Sequence, residues 1–283
     1  MAMTPSQRPT REWPLLVLAV TLVFAVSLPL RQLLATLQAN GVQWGNWTPD
    51  RLSRLFLGPE QIASYAFFIW GGFILLSRYL EVRRQRRAFG LEPLPTEEGV
   101  RILPEDARPL QRRVEQLTRG RPYILANMIR LALGKYAVTR SSQDVSETIR
   151  TQAEVDQGRL VTSMATVHYL AWAIPAIGFL GTVRGLAGSL TMAGREHETD
   201  SLQQFLDGAT QHLNVAFDCT LVALALSLPL MFLIHSVQRD EEAVVIDCQQ
   251  YCLEHVVNRL YDPEPLPESV PELRPSPVVH AVH

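Results

Sequence analysis

The sequence has only three cysteines among its 283 residues, so no framework of disulfide bonds can hold its fold together. Cys219 stands inside an apolar stretch, whereas Cys248 and Cys252 lie four residues apart in a charged segment. Two thiols at that spacing share one face of a helix and could bind a metal, but the usual ligand spacings and a second His or Cys pair are missing nearby. We interpret Cys248 and Cys252 as buried thiols and predict neither a metal nor another cofactor.

Signs of catalysis are also scarce. His168, His212 and His235 are scattered along the chain, and neither a nucleophile–base pair nor a glycine-rich phosphate loop accompanies them. The formal net charge of -2 gives no indication of a nucleic-acid partner. An enzyme is therefore the least favoured class of function, and no nucleic acid is expected among the partners.

Charge is almost absent from four long apolar stretches, while nearly all Lys, Arg, Asp and Glu residues lie between them. A helix that crosses a hydrocarbon core of about 30 Å needs about 20 mainly apolar residues. The first stretch is longer than the core of a signal peptide, about 7–15 residues, so we expect it to be retained as an anchor. The sequence predicts an all-α, polytopic membrane protein with four transmembrane helices, at about 13–30, 62–80, 167–192 and 212–236.

The distribution of arginine predicts the topology. Four arginines occur in the five residues from Arg83 to Arg87, and Arg8 and Arg11 precede the first span. Basic flanks of membrane helices usually stay in the cytoplasm, so the first hairpin should run in, out and in again, with both termini of the chain cytoplasmic. Within the second span, Arg78 is expected to extend its charge to the lipid head groups.

Between the spans, the sequence suggests a further division of the chain. Two tryptophans, Trp44 and Trp47, are typical of a membrane interface, and a short amphipathic segment is expected from Leu52 to Ile62. A helix beginning near Ser141 should continue unbroken into the third span, and the fourth span should continue as a helix to about Leu260. The predicted regions are an N-terminal membrane hairpin (1–87), a cytoplasmic helical region (88–165), a second hairpin with a cytoplasmic helical extension (166–260) and a disordered, proline-rich tail (261–283).

The last two spans contain many small residues on facing helices. Gly178, Gly181, Gly185 and Gly188 occur in the third span, and the fourth contains Ala216, Ala223, Ala225 and Ser227. Small residues let helix backbones approach closely in a membrane. This pattern predicts a tightly packed helix pair, and on composition alone it fits a packing seam without any transport role equally well.

Polar residues within these two spans favour a functional role. Counted from the ends of the connecting link, Arg184 and Asp218 should lie at similar depth and could form an ion pair, since ionisable groups inside a membrane usually face a cavity or a partner. The same count places Thr182 near Thr220, although a membrane threonine often bonds only a carbonyl of its own helix. Pro175 removes a backbone donor and should kink the third span or free a carbonyl there.

Two segments around these residues resemble the paired helix motifs of the MotA/TolQ/ExbB proton channel family. They are Ile174-Pro175-Ala176-Ile177-Gly178-Phe179-Leu180-Gly181-Thr182-Val183 and Ala216-Phe217-Asp218-Cys219-Thr220-Leu221-Val222-Ala223-Leu224. The resemblance is strong over about 160–260 and weak elsewhere. Two hairpins around a cytoplasmic insert are more similar to the MotA layout than to the three-span ExbB layout.

The resemblance implies a bacterial inner-membrane protein of which five copies form a ring around two copies of a single-span partner of the MotB/TolR/ExbD type. It implies that Pro175, Thr182 and Thr220 face the ion path, and that the partner supplies the proton-carrying aspartate. We therefore expect a proton channel subunit of an ion-driven motor, with sodium as a less favoured ion. The alternative is a non-conducting, oligomeric membrane scaffold.

Overall fold

The computed structural model describes residues 12–41, 48–91, 94, 101–118, 122–193 and 202–261. No strand occurs in these ranges, where the β-type pairing is a single bridge between Ile102 and Leu260. The all-α prediction is therefore confirmed. The helices are α1 (Glu12–Ala39), α2 (Pro49–Leu57), α3 (Pro59–Arg86), α4 (Ala107–Thr118), α5 (Ile124–Thr139), α6 (Ser142–Ser163), α7 (Ala165–Ala193) and α8 (Leu202–His255).

Four helical stretches of the described chain are long and apolar enough to cross a membrane. Each contains one of the four predicted spans, which confirms the polytopic layout. The predicted tryptophan belt at Trp44 and Trp47 and the proline-rich tail lie outside the described residues. The stretches are Trp13–Ala39, Pro59–Leu91, Ser142–Thr191 and Gly208–Arg259.

The membrane part is built around α7 and α8, which pack along each other over their apolar lengths. Helix α3 lies against both of them, and α1 packs against α3. Branched apolar side chains are buried where α3, α7 and α8 meet. They pack closely there and form the membrane core. Its largest fully buried side chains are Ile74, Met164, Leu170, Ile174, Leu230 and Ile234.

A second core, which we call the extramembrane core, is formed by α4, α5, α6 and the C-terminal half of α8. Cys248 and Cys252 are buried in it, as predicted. The side chain of Tyr136 is buried in this core. The Tyr136 hydroxyl lies 3.1 Å from the carbonyl oxygen of Ile102 and 2.7 Å from that of Tyr261. Tyr136 thus fixes two distant chain segments beside each other.

The prediction of one unbroken helix into the third span is wrong at Met164, where α6 ends and α7 has not yet begun. In a continuous α-helix the Val167 N–H would donate to the Ser163 carbonyl, four residues back. Here it donates to Met164 instead, at 3.1 Å, and the Ser163 carbonyl accepts from the guanidinium of Arg78 at 2.8 Å. By contrast, α8 continues unbroken for 54 residues to His255.

Arg78 also departs from its predicted role. Its side chain is only 19% exposed and forms an ion pair with Glu241 of α8, with 3.5 Å between Nη1 and Oε1. The expected extension toward head groups is therefore wrong, because two neighbouring helices supply the partners of this charge. The short amphipathic segment exists as α2, which Thr48 caps by accepting from the Arg51 N–H and which ends before Gly58.

Candidate functional site

The contact between α7 and α8 is a seam of glycines whose missing side chains let the two backbones approach. A Cβ atom added to Gly185 would lie 2.7 Å from the carbonyl oxygen of His212 and 2.9 Å from the Ala216 nitrogen. One added to Gly178 would lie 2.5 Å from the Ala223 Cβ atom. Glycines spaced three or four residues apart share one helix face, which explains why the sequence produces this close approach.

Thr182 and Thr220 meet in this seam. The Thr182 hydroxyl lies 3.2 Å from the Ala216 carbonyl oxygen of α8, and 3.3 Å from the Gly178 carbonyl oxygen of its own helix. The Thr220 hydroxyl lies 3.0 Å from the same Ala216 oxygen and 3.1 Å from the Phe217 oxygen. Both threonines are half-buried. The structure therefore brings the two side chains together, and it also gives each of them the backbone acceptors that the sequence left open as an alternative.

Arg184 has a partner that the sequence analysis did not identify. Its Nη2 atom lies 2.8 Å from Oε2 of Glu60, near the start of α3, and the side chains are 54% and 14% exposed. Among the described residues the ion pair of Arg184 is this one, and the pair proposed with Asp218 is not formed. Helix rotation explains the difference, since residues at equal depth on neighbouring helices need not face each other.

Asp218 lies within the electrostatic reach of a different helix, α2. It is half-buried, and the basic side chains whose charge acts on it are Arg51 and Arg54 of α2. Arg54 itself forms a close ion pair with Asp50, at 2.6 Å. The short helix α2 therefore places Arg51 and the Arg54–Asp50 pair near Asp218 of α8.

Glu60 was missed because the predicted second span began at residue 62, whereas α3 begins at Pro59. A usable signal was present, because a proline followed by an acidic residue is typical of the first turn of a helix. Glu60 joins three helices, since the Cys219 thiol of α8 also lies 3.9 Å from its Oε2 atom. The neighbouring Gln61 is buried, and its Oε1 atom has no hydrogen-bond donor among the described residues.

Pro175 and Pro229 lie inside α7 and α8, and both helices continue through them. Pro175 is half-buried and follows the fully buried Ile174. Because proline lacks the N–H that would bond the carbonyl four residues earlier, the Ala171 carbonyl loses its helical donor. The described residues include no group of three His, Cys, Asp or Glu side chains placed to hold a metal ion.

Comparison with known protein families identifies a match that includes α7 and most of α8. Residues 121–250 match the model of the MotA/TolQ/ExbB proton channel family. No curated protein and no solved structure matches the chain at a significant level. The match extends further toward the N-terminus than the resemblance read from the sequence, because it takes in α5 and α6 as well as α7 and most of α8. It includes all five residues predicted for the site. Residues 121–250 therefore carry the sequence pattern of the MotA/TolQ/ExbB proton channel family, within a chain that has four helical stretches able to cross a membrane.

Proposed function

We propose that this protein is the ring-forming channel subunit of an ion-driven motor in the bacterial inner membrane. In this proposal five copies surround a single-span partner of the MotB/TolR/ExbD type, whose aspartate carries the proton. Thr182 and Thr220 line the space around the partner helix, and Pro175 supports a local rearrangement of α7. Both termini face the cytoplasm, as the arginines from Arg83 to Arg87 favour.

The meeting of two hydroxyls at one carbonyl is the observation that carries the proposal. Each hydroxyl has one hydrogen and two carbonyl acceptors within reach. It can therefore rotate and donate to either carbonyl. The oxygen lone pairs remain able to accept a proton-bearing donor such as water or a protonated carboxyl group. Such hydroxyls are suited to steer a proton at the edge of the seam, where a partner helix would lie beside the half-buried Thr182 and Thr220.

The exposed surfaces of α7 and α8 are consistent with an oligomer in a bilayer. Large apolar side chains cover them, and in water they would form patches far larger than those of a monomeric protein. In this proposal, lipid, neighbouring copies and the partner helix cover this surface. The most exposed of these residues are Trp172, Phe179, Leu180, Leu190, Phe217, Leu221, Leu228 and Phe232.

A scaffold is the second candidate, and a different observation favours it. Helix α8 runs for 54 residues and belongs to both cores, so it can transmit position from the membrane to the extramembrane region without any ion flow. In a scaffold, Thr182 and Thr220 would serve only to join α7 to α8 through backbone carbonyls.

The test is to purify the chain together with the product of a neighbouring gene for a short single-span protein and to image the complex. Five copies around two central helices, with Thr182 and Thr220 facing inward, support the channel subunit. A closed assembly that has no central helix, and in which both hydroxyls are buried between copies, supports the scaffold. Proton flux into liposomes that contain the purified complex then decides whether the ring conducts.

A further inference from the structure

A cavity of about 550 Å³ opens between α1, α2 and α3, away from the seam of α7 and α8. Its wall is apolar except at one place, where the guanidinium of Arg31 stands beside Leu57, the last residue of α2. An apolar cavity of this kind does not hold ordered water, which needs several polar partners. The apolar wall is formed by Val20, Val23 and Phe24 on α1 and by Ile62, Ala66 and Phe67 on α3.

The position of the cavity along the helices matches the depth of one lipid leaflet. Arg31 follows Trp13 by 18 residues, or about 27 Å at a rise of 1.5 Å per residue, close to the full thickness of the hydrocarbon core. Arg31 therefore lies at head-group level when Trp13 lies at the opposite interface. From Arg31 the cavity reaches back along α1 to Val20, about 16 Å, which is half of a hydrocarbon core of about 30 Å.

Arg31, at the head-group end of the cavity, has no acidic partner among the described residues. The Arg31 side chain is exposed and donates from Nη2 to the Leu57 carbonyl at 3.4 Å, and no carboxylate of the described residues forms an ion pair with it. Nearby Arg54 differs, because Asp50 neutralises it. Arg31 also lies at the end of the hairpin opposite to the arginines from Arg83 to Arg87, so the topological preference for basic flanks does not account for it.

These features favour a lipid over a helix of another protein as the occupant. A helix with its side chains is about 10–12 Å across and needs far more room than this cavity offers. An acyl chain is narrow and apolar, and a phosphate is the anion that an arginine fork binds best at head-group level. The geometry points to a phospholipid site, in which one acyl chain fills the cavity and the phosphate binds the guanidinium of Arg31.

The test uses the full chain in dodecyl maltoside micelles, which carry no phosphate, with a small fraction of phosphatidylglycerol that bears a photoactivatable diazirine on one acyl chain. After illumination, mass spectrometry locates the labelled peptides. We expect labels on α1 between residues 20 and 24 and on α3 between 62 and 67. Arg31→Gln should lower this labelling by about tenfold, the effect of losing a charge-assisted hydrogen bond of about 1.5 kcal/mol.

Matched variants separate the site from general lipid contact. Ala63→Trp places a large side chain in the cavity wall and should abolish the labelling, whereas Ala25→Trp, on an exposed part of α1, should not. Arg54→Gln removes an arginine that already has a carboxylate partner and should leave the labelling unchanged. If Arg31→Gln does not fold, Arg31→Lys keeps the charge and should retain most of the signal, while Ala63→Trp still tests the cavity.

Three results would overturn the phospholipid site. One is equal labelling of wild type and Arg31→Gln, which means that acyl chains contact this surface without the phosphate. Another is equal labelling by a diacylglycerol that bears the same diazirine but lacks a phosphate. The third is cross-linking of residues 20–24 to another copy of the chain, which means that a protein surface covers the cavity. This inference does not depend on ion conduction.

Discussion

The hydroxyl groups of Thr182 and Thr220, which belong to different helices, share one acceptor, the carbonyl oxygen of Ala216, at 3.2 Å and 3.0 Å. That oxygen lies four residues before Thr220 in α8, where the helical N–H of Thr220 also bonds to it. A carbonyl oxygen has two lone pairs, so three donors compete for it. Each hydroxyl is consequently free to exchange this acceptor for its second one, Gly178 or Phe217.

Removing one of these hydroxyls should reduce ion flow and leave the fold intact. Thr220→Val keeps the shape of the side chain, and the loss of a hydroxyl that stabilises a passing charge by about 1.5 kcal/mol lowers flux about tenfold. Thr220→Ser keeps the hydroxyl and should conduct. The measurement is proton entry into liposomes that contain the complex with its partner, followed with a pH-sensitive dye. Wild-type flux in Thr220→Val would count against the proposed role, and unchanged unfolding temperature in both variants would confirm that the fold is intact.

The glycine seam predicts which helix positions reject even a methyl group. Gly185→Ala forces the new Cβ against backbone atoms of His212 and Ala216, which cannot move independently, so we expect a loss of about 1–3 kcal/mol in the free energy of unfolding. Gly72, in α3, is the matched control, because a Cβ there meets nothing within 4 Å. Gly72→Ala should leave stability within about 1 kcal/mol of wild type. Thermal unfolding in detergent measures both changes.

Gly178 allows a rescue that Gly185 does not. The nearest atom to a Cβ at Gly178 is the side-chain carbon of Ala223, at 2.5 Å. The double variant Gly178→Ala/Ala223→Gly exchanges the two side chains across the seam and should recover part of the stability lost in Gly178→Ala. Equal stability of the single and double variants would show that the seam is not packed as described.

The spans could be predicted from the sequence because apolar length is a local property, and each of the four predicted runs lies in one long helix. The depth of Thr182 relative to Thr220 could also be predicted, because both are counted from the same short link. The ion pairs could not. Glu60 and Arg184 are 124 residues apart in the chain, and which of the acidic side chains at one depth faces Arg184 depends on how the helices are rotated.

The break at Met164 shows a second limit of sequence reasoning. Nothing local ends a helix there, since neither proline nor glycine stands at that point. At this point a side chain 85 residues earlier in the chain, Arg78, takes the Ser163 carbonyl as its acceptor. Such a break can be predicted only when the tertiary contact is known. The capping of α6 by Ser141 could be predicted from the residue type alone.

The Glu60–Arg184 pair should contribute asymmetrically to stability. The Glu60 side chain is 14% exposed, so Arg184→Gln leaves a largely buried carboxylate without its counter-charge and should cost about 1.5–3 kcal/mol. Glu60→Gln leaves a cation that is more than half exposed and should cost less. A double-mutant cycle with both variants, read by thermal unfolding, measures the coupling. The exposed pair of Arg54 with Asp50 is the control, with an expected coupling of about 0.3–0.5 kcal/mol. Equal coupling in the two pairs would mean that Glu60 is effectively solvated.

We expect the largest loss of stability from a substitution where the membrane part meets the extramembrane core, at Arg78. Arg78 neutralises Glu241, whose side chain is 5% exposed and whose Oε2 atom has no donor among the described residues. It also bonds the Ser163 carbonyl at the break between α6 and α7. Arg78→Met removes both interactions and leaves a buried, uncompensated carboxylate, so it should cost about 3–5 kcal/mol.

Replacing both charges should restore most of that loss. In Arg78→Met/Glu241→Leu no buried charge remains, and apolar side chains of similar size fill the space. Arg86→Met is the control, because Arg86 lies 4.0 Å from Asp240 at an exposed site and should matter by less than about 1 kcal/mol. Thermal unfolding of the purified chain reports the stability. Hydrogen exchange reports the break itself, because in the double variant the Val167 N–H can return to the freed Ser163 carbonyl and become more protected. A double variant as unstable as Arg78→Met would mean that the Ser163 contact, rather than the buried charge, holds this junction together.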